Sequence, residues 1–537
     1  MARSAEPLER LDRQGKLIMR RSEMIARVDQ RREPWDIIVI GGGATGVGIA
    51  VDAASRGYDV LLLEQHDFGK GTSSRSTKLV HGGVRYLEQG NIALVMEALK
   101  ERGLLRQNAP HLVSNLAFVV PNYDWWEAPF YGLGLKIYNA LAGKYGFGSS
   151  EILTREETLE RLPTIKTDGL RGGVVYYDGQ FDDTRLLINL VGTAADQGAT
   201  LVNYARVVAL TKGPDGFVDG VVAADQESGK EWTIGARVVI NATGAFSDSV
   251  RRLAEPDVAT LIAPSQGIHL VFDQSFLPSE SAIMVPHTSD GRVMFAIPWH
   301  GHTLVGTTDT PISTPTLEPR PMPDEIEFIL ETASQYLRKR PTRDDVLSVF
   351  VGIRPLVKSG DGKLTAALSR DHTIHFDASG LLTTTGGKWT TYRNMAEHAV
   401  DQAADYARLE ERPCVTRSLN VHGFHSNADR FGALSMYGSD AIEIQDLMHA
   451  TPSLSQPLHP QLPYTGAEVV WAARHEMAQT VEDVLARRTR ALFLNARAAQ
   501  AMAPEVARLM AGELGWDAAR QASQVAAFSE LARGYQI

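Results

Sequence analysis

The chain has a single cysteine, Cys414. That excludes an internal disulfide, a Cys-x-x-Cys redox pair and a thiolate metal cluster, and no metal centre is expected. No apolar run reaches about 18 residues, so no transmembrane helix is predicted. The first residues lack the apolar stretch of a secretory signal, which predicts a cytoplasmic protein. Positive charge is in deficit: 54 Lys+Arg stand against 64 Asp+Glu, a net charge of -10. That balance, with no basic stripe, argues against a nucleic-acid partner. No internal repeat is evident. What remains is an ordinary globular composition, 44% hydrophobic and 22% charged over 537 residues, enough for roughly two to four domains.

The clearest local signal is Asp36-Ile37-Ile38-Val39-Ile40-Gly41-Gly42-Gly43-Ala44-Thr45-Gly46. An apolar run enters a glycine turn, and an alanine-rich segment leaves it: strand, tight turn, helix. Gly41, Gly43 and Gly46 fit G-x-G-x-x-G. The first permits the turn, the second lets a pyrophosphate approach the backbone, and the third lets helix and strand pack closely. The helix N-terminus, at Thr45, offers free N–H groups to the phosphates. The next strand, Asp59 to Glu64, ends in an acid spaced to bind ribose hydroxyls.

The rest of the chain qualifies that site. Residues 1–35 are locally basic, nine Lys/Arg against six Asp/Glu, and predict a surface helix or partly ordered extension. Phe68 to Leu87 is dense in glycine, hydroxyl and basic residues, a composition suited to wrapping a polar ligand. Residues 92–107 read as helical. Residues 125–147 mix Trp125, Trp126, Phe130, Tyr131, Leu133, Ile137 and Tyr138 with Lys136 and Lys144. This suits an interfacial membrane segment or, equally, a core helix with a flanking loop. Gly216 to Ala224 reads as a hairpin region, and Ala236 to Ala245 as a strand entering a small-residue turn. Strands at 268–272, 292–299 and 303–308 with no helices between them predict an antiparallel sheet that could wall a substrate pocket. A helix is expected at 324–338, a strand at 346–357, and a hairpin across Ser379-Gly380. Gly386-Gly387-Lys388 should open a helix, and the chain turns helical after about residue 422, including Glu468 to Ala498. Nucleotide-type segments at 36–87, 236–245 and 381–393 imply a cofactor gripped from distant parts of the chain, which favours FAD over a nicotinamide.

These segments also carry a family resemblance. Val39 to Gly46, Thr72-Ser73-Ser74, Lys78 to Leu87, Asn241-Ala242-Thr243-Gly244, Gly306-Thr307-Thr308-Asp309, Gly352 to Leu356 and Gly386 to Arg393 resemble the FAD-dependent glycerol-3-phosphate dehydrogenases. So does Thr480 to Arg490, in that family's helical C-terminal domain. Trp389 departs from the leucine common in bacterial members. The resemblance implies an α/β (α+β overall) fold: a Rossmann-like FAD-binding domain, an inserted antiparallel-sheet substrate domain and a helical C-terminal domain. The expected division is a basic extension at 1–35; a discontinuous FAD-binding domain at 36–110, 170–260 and 350–405; a substrate-binding cap at 111–169 and 261–349; and a helical domain at 415–537.

The resemblance further implies oxidation of sn-glycerol 3-phosphate to dihydroxyacetone phosphate, with electrons passing through FAD to membrane ubiquinone or menaquinone. It implies a peripheral protein on the inner face of the cytoplasmic membrane, commonly a homodimer. FAD contacts are expected from Gly41, Gly43, Thr45, Gly46, Glu64, Thr72, Ser73, Ser74, Lys78, His81, Gly82, Gly83, Val207, Gly244, Gly387, Lys388 and Thr390. A phosphate ester suits arginine forks, and Arg354 and Arg370 occupy positions matching the family's substrate-binding arginines. Arg85, Tyr86 and Lys388 are expected beside them.

Oxidation at C2 also needs a proton acceptor. His269 is the first choice, because histidine titrates near neutrality; an alkoxide polarised by Arg354 is the rival. Lys388, beside the Gly386-Gly387 turn, is placed to stabilise negative charge on reduced flavin. Competing readings keep the fold and change the chemistry: an oxidase that uses oxygen as acceptor, or an amino-acid or amine oxidase. A flavin-containing tRNA-modifying protein is disfavoured by the acidic charge.

Overall fold

The computed structural model describes residues 19–83, 91–124, 126–286, 288, 292–358 and 372–537. Two sheets organise these residues. The first is centred on the Trp35–Ile40 strand, which pairs in parallel with Val60–Leu63 on one side and Glu231–Asn241 on the other. Thr200–Val202 and Leu382–Gly386 extend the parallel array, and His372–Phe376 closes one edge antiparallel. Ile37 to Ile40 and Val60 to Leu63 are all buried, as a strand covered on both faces requires. The Ala44–Ser55 helix packs between Asp183–Asp196 and Tyr392–Tyr406. Gly48 permits the second contact, since a β-carbon there would lie 2.9 Å from the Tyr392 ring.

The second sheet has ten strands: eight in the order Thr310–Pro311, Ile262–Asp273, His302–Gly306, Met294–Trp299, Ser281–Val285, Val113–Asn122, Gly172–Phe181, Leu79–Val80, and the remaining two on side branches. One branch is Val346–Val357, which runs antiparallel to Ile262–Asp273 along nearly its whole length. The antiparallel sheet expected between residues 261 and 310 is therefore larger than its sequence signal. Gly172–Phe181 and Val346–Val357 belong to it, so the expected FAD-domain ranges 170–260 and 350–405 each lose a strand to the second sheet. An apolar run announces a strand but not its partner.

The latter part of the basic N-terminal stretch is docked rather than free. The Arg21–Gln30 helix buries Met24 and Val28, and Arg21 donates to the Asn203 carbonyl at 3.0 Å and pairs with Asp225. The C-terminal region is mainly helical, as expected, and Glu468 to Ala498 is divided into several helical pieces. Gly466–His475 stops before Met477, whose φ is +56°; a π-helical turn spans Asp483–Arg488; Arg490 has φ +65° and precedes a short Ala491–Leu494 helix. The cause is charge. Arg487 and Arg488 are buried and share Asp67, Arg487 also reaches Glu482 and Asp483, and Arg490 reaches Asp183. Buried guanidinium groups need their carboxylates, and a regular helix would aim them elsewhere.

Candidate active site

A cavity of about 1240 Å³ is lined by residues of both sheets. The glycine turn forms part of its wall. Gly41 has φ +111°, and a β-carbon on Gly46 would stand 1.9 Å from the Gly41 carbonyl oxygen, so only glycine lets helix and turn meet there. Gly41 to Thr45 line the cavity, and the Ala44–Ser55 helix starts against it. Glu64 closes the neighbouring strand. Its carboxylate accepts from the Gly42 amide at 2.7 Å and the His66 amide at 2.8 Å. Burial pushes this carboxyl up, and the two amides pull the other way. Ser73 accepts from the Ala44 amide at 2.9 Å, and Thr390 from the His81 amide at 3.2 Å. Thr72, Val207, Gly83, Gly244, Gly387 and Lys388 also line this space. A cavity with a helix N-terminus and glycine turn in its wall and a buried acid beside them fits a dinucleotide.

The other side of the cavity is the second sheet. On the paired Ile262–Asp273 and Val346–Val357 strands, His269 stands opposite Phe350, Gly267 opposite Gly352 and Ser265 opposite Arg354. All six share one face, because strand side chains alternate. The two glycines leave a gap between the histidine and the arginine. Arg354 extends along it, donating to Thr307 Oγ1 at 3.2 Å and pairing with Asp309 Oδ1 at 3.4 Å. His269 is buried, with its ring stacked on Phe350 at 4.9 Å between centroids and its Nε2 3.0 Å from Thr77 Oγ1. The expectation that it titrates near neutrality is corrected here. Burial, then the Lys78 and Arg354 cations, hold its pKa well below the usual histidine range, so the imidazole is neutral. Lys388 reaches the same cavity from the turn after Gly387, whose φ is +69°.

Some expected cofactor residues stand behind the cavity wall. Lys78 is fully buried; its Nζ donates to the Ser74 carbonyl at 2.8 Å and to Asp183 at 2.7 Å. Ser74, Gly46 and Gly82 are likewise outside the lining, and Gly82 donates its amide to Tyr138 Oη at 2.8 Å. Arg85, Tyr86 and Arg370 lie outside the described residues, as does Trp125. Thr307, Asp309 and Thr77 acquire their importance only from the structure. The first two sit inside the Gly306-Thr307-Thr308-Asp309 segment, so the motif marked the place without indicating a role.

Comparison with known proteins agrees with this architecture. Residues 36–393 match the FAD dependent oxidoreductase family, and residues 386–521 match the C-terminal domain of alpha-glycerophosphate oxidase. The probable mitochondrial glycerol-3-phosphate dehydrogenase of Caenorhabditis elegans is 43% identical over 524 residues, covering 92% of this chain and 72% of that protein. The chain belongs to the FAD-dependent glycerol-3-phosphate dehydrogenase family. The human mitochondrial glycerol-3-phosphate dehydrogenase is 40% identical over 531 residues, 92% of this chain and 73% of that protein. The crystal structure of the glycerol-3-phosphate dehydrogenase from Bacillus halodurans complexed with FAD is 30% identical, with a TM-score of 0.78 over 96% of this chain and 97% of that one. The cavity lined by the glycine turn is also lined by Arg354 and His269 of the second sheet.

Proposed function

We propose that the protein oxidises sn-glycerol 3-phosphate at C2 to dihydroxyacetone phosphate and delivers the electrons to membrane ubiquinone or menaquinone. The observation carrying this reading is that Arg354, His269 and Lys388 share one cavity with the glycine turn. FAD, when bound, takes up the two electrons and the hydrogen leaving C2. Arg354 offers its fork to two phosphate oxygens, with Lys388 and the residues Arg85, Tyr86 and Arg370 as further contacts. His269, neutral in its buried setting, accepts the C2 hydroxyl proton. Its basicity is held down by burial and then by the nearby cations, and a substrate phosphate paired with Arg354 offsets part of the latter effect. Lys388 supplies positive charge where negative charge develops on reaction.

The same reading makes this a homodimeric, peripheral protein on the inner face of the cytoplasmic membrane. Among the described residues no helix is long and apolar enough to cross a membrane. In support of a surface mode, Trp126, Phe130, Leu133 and Ile137 are exposed on or beside the Glu127–Ala142 helix.

Anaerobic mixing of the holoprotein with sn-glycerol 3-phosphate tests the assignment through flavin absorbance. Bleaching by this ester and not by glycerol is expected. Absence of bleaching overturns the proposal, and bleaching by an amino acid alone favours an amino-acid oxidase. Reoxidation of the bleached protein by a quinone analogue, compared with reoxidation by oxygen, decides the acceptor. Sedimentation velocity at micromolar protein tests the dimer.

A further inference from the structure

His269 has two handles, and both lead to the same short turn of the C-terminal region. The first is polar. Its Nε2 lies 3.0 Å from Thr77 Oγ1. Thr77 sits between two residues tied to Asp183: Ser76, through its amide at 3.1 Å and its hydroxyl at 2.7 Å, and Lys78, through Nζ at 2.7 Å. Lys78 holds a φ of +64°, an unfavourable conformation for a non-glycine residue that persists only where the surroundings enforce it. The other oxygen of Asp183 accepts from Arg490 Nη2 at 3.2 Å, and the same nitrogen donates to the Ser74 carbonyl at 3.0 Å. Arg490 therefore closes the far side of the segment that aims Thr77 at His269.

The second handle is aromatic. The His269 ring stacks on Phe350 with 14° between planes, and Phe493 meets Phe350 edge-on at 5.0 Å. Ser348, two residues before Phe350, donates to the Leu492 carbonyl at 2.8 Å. Arg490 itself lies 4.4 Å from the Phe493 ring centroid. The ring face of the histidine is thus held by residues 490–493 through Phe350 alone, and its Nε2 through Thr77, the flanking Ser76 and Lys78, and Asp183.

We propose that the Arg490–Phe493 turn is a positioning element for His269, so that the C-terminal region sets the orientation of the imidazole at the reacting carbon. This rests on the reading of His269 as the proton acceptor. Arg490 and Phe493 are positioning residues; neither lines the cavity. Reaction rates fall steeply when a reacting group is displaced by about 1 Å, on the order of 100-fold, whereas substrate affinity depends chiefly on Arg354.

The test compares wild-type holoprotein with Phe493→Leu and Arg490→Lys in three measurements: FAD content, the dissociation constant of dihydroxyacetone phosphate by calorimetry on the oxidised protein, and the anaerobic flavin-reduction rate at saturating sn-glycerol 3-phosphate. Flavin content and product affinity are expected to stay within about threefold while the reduction rate falls ~10-fold or more. A wild-type reduction rate in either flavin-replete variant overturns the proposal. If both variants lose flavin, Thr77→Val decides: a slow rate restored by Thr77→Ser supports the chain of contacts, and a wild-type rate overturns it. His269→Asn separates the two levels. A wild-type rate in that variant removes the proton-acceptor reading and this inference with it. A slow His269→Asn beside fast Phe493→Leu and Arg490→Lys removes this inference alone.

Discussion

The guanidinium of Arg354 lies against Gly267, where a β-carbon would come within 2.6 Å of both terminal nitrogens and 2.5 Å of the Thr308 carbonyl oxygen. Nothing larger than hydrogen fits at that range in a close-packed site. Gly267→Ala must therefore push the arginine, or the loop carrying Thr307 and Asp309, out of place. The expected result is a KM for sn-glycerol 3-phosphate raised ~10-fold or more, equivalent to about 1.4 kcal/mol, with FAD content unchanged. Steady-state kinetics with a quinone analogue provide the check. An unchanged KM would detach this arginine from the substrate.

Charge and shape at Arg354 can be separated. Hydrogen bonds to charged groups contribute roughly 1.5–3 kcal/mol each, so Arg354→Ala should raise KM by about 100-fold, on the scale of tenfold per 1.4 kcal/mol. Arg354→Lys keeps the charge and loses the fork that Thr307 and Asp309 hold. It should fall between the two, because a point charge cannot engage two phosphate oxygens at once. Competitive inhibition by inorganic phosphate should weaken in the same order. Equal behaviour of lysine and arginine would show that the fork is unused.

His422 ties the Asp183–Asp196 helix to the C-terminal region. Its Nδ1 lies 2.7 Å from Asp196 Oδ2, and its Nε2 lies 3.1 Å from Asp440 Oδ2. Burial opposes the charged imidazole, but the two carboxylates outweigh it and push the pKa up to about 10 from 6.5. A pKa raised in the folded state stabilises fully below the unfolded value and loses its effect as pH climbs through the folded one. His422→Gln should thus melt well below wild type at pH 6.5, and the gap should narrow steadily towards pH 10. Thermal unfolding at half-unit pH steps measures it. A gap independent of pH would mean that the histidine acts through packing alone.

Much of this arrangement was legible in the chain. The strand, turn and helix over residues 36–64 were readable because apolar runs and glycine spacing are local signals. The Val346–Val357 strand and the 372–386 hairpin were readable for the same reason. Sheet membership was not, since it depends on partners far away in sequence. The break within 468–498 was hidden too: helix propensity favours continuity there, and only the buried carboxylates Asp67, Asp183 and Glu482 explain why the arginines override it. The neutral state of His269 comes first from its burial, then from Lys78 and Arg354, residues 191 and 85 positions away, so composition near the histidine could not foretell it. Lys78, an FAD contact implied by the family resemblance, pairs its ammonium with Asp183 behind the wall, a partner 105 positions away that the local sequence does not show.

The Glu127–Ala142 helix is apolar on two sides. Tyr131, Leu135 and Tyr138 are buried against the second sheet's core, while Phe130, Leu133 and Ile137 are 54%, 65% and 45% exposed. Ile152, 56% exposed, adjoins the helix at Gly132. An outward apolar surface of this kind marks a contact with lipid or protein. Burying a Phe or Leu side chain contributes roughly 1.5–3 kcal/mol. If lipid is the partner, Phe130→Ser with Leu133→Glu should reduce binding to lipid vesicles by ~100-fold or more in a sedimentation assay. Bleaching of the flavin by sn-glycerol 3-phosphate should be unaffected, because the inward Tyr138, which accepts from Gly82 and donates to Asp178, is untouched. Reoxidation by a water-soluble quinone analogue should also persist, while reoxidation by quinone held in vesicles should slow in step with lost binding. Vesicle binding equal to wild type would remove this helix as the anchor.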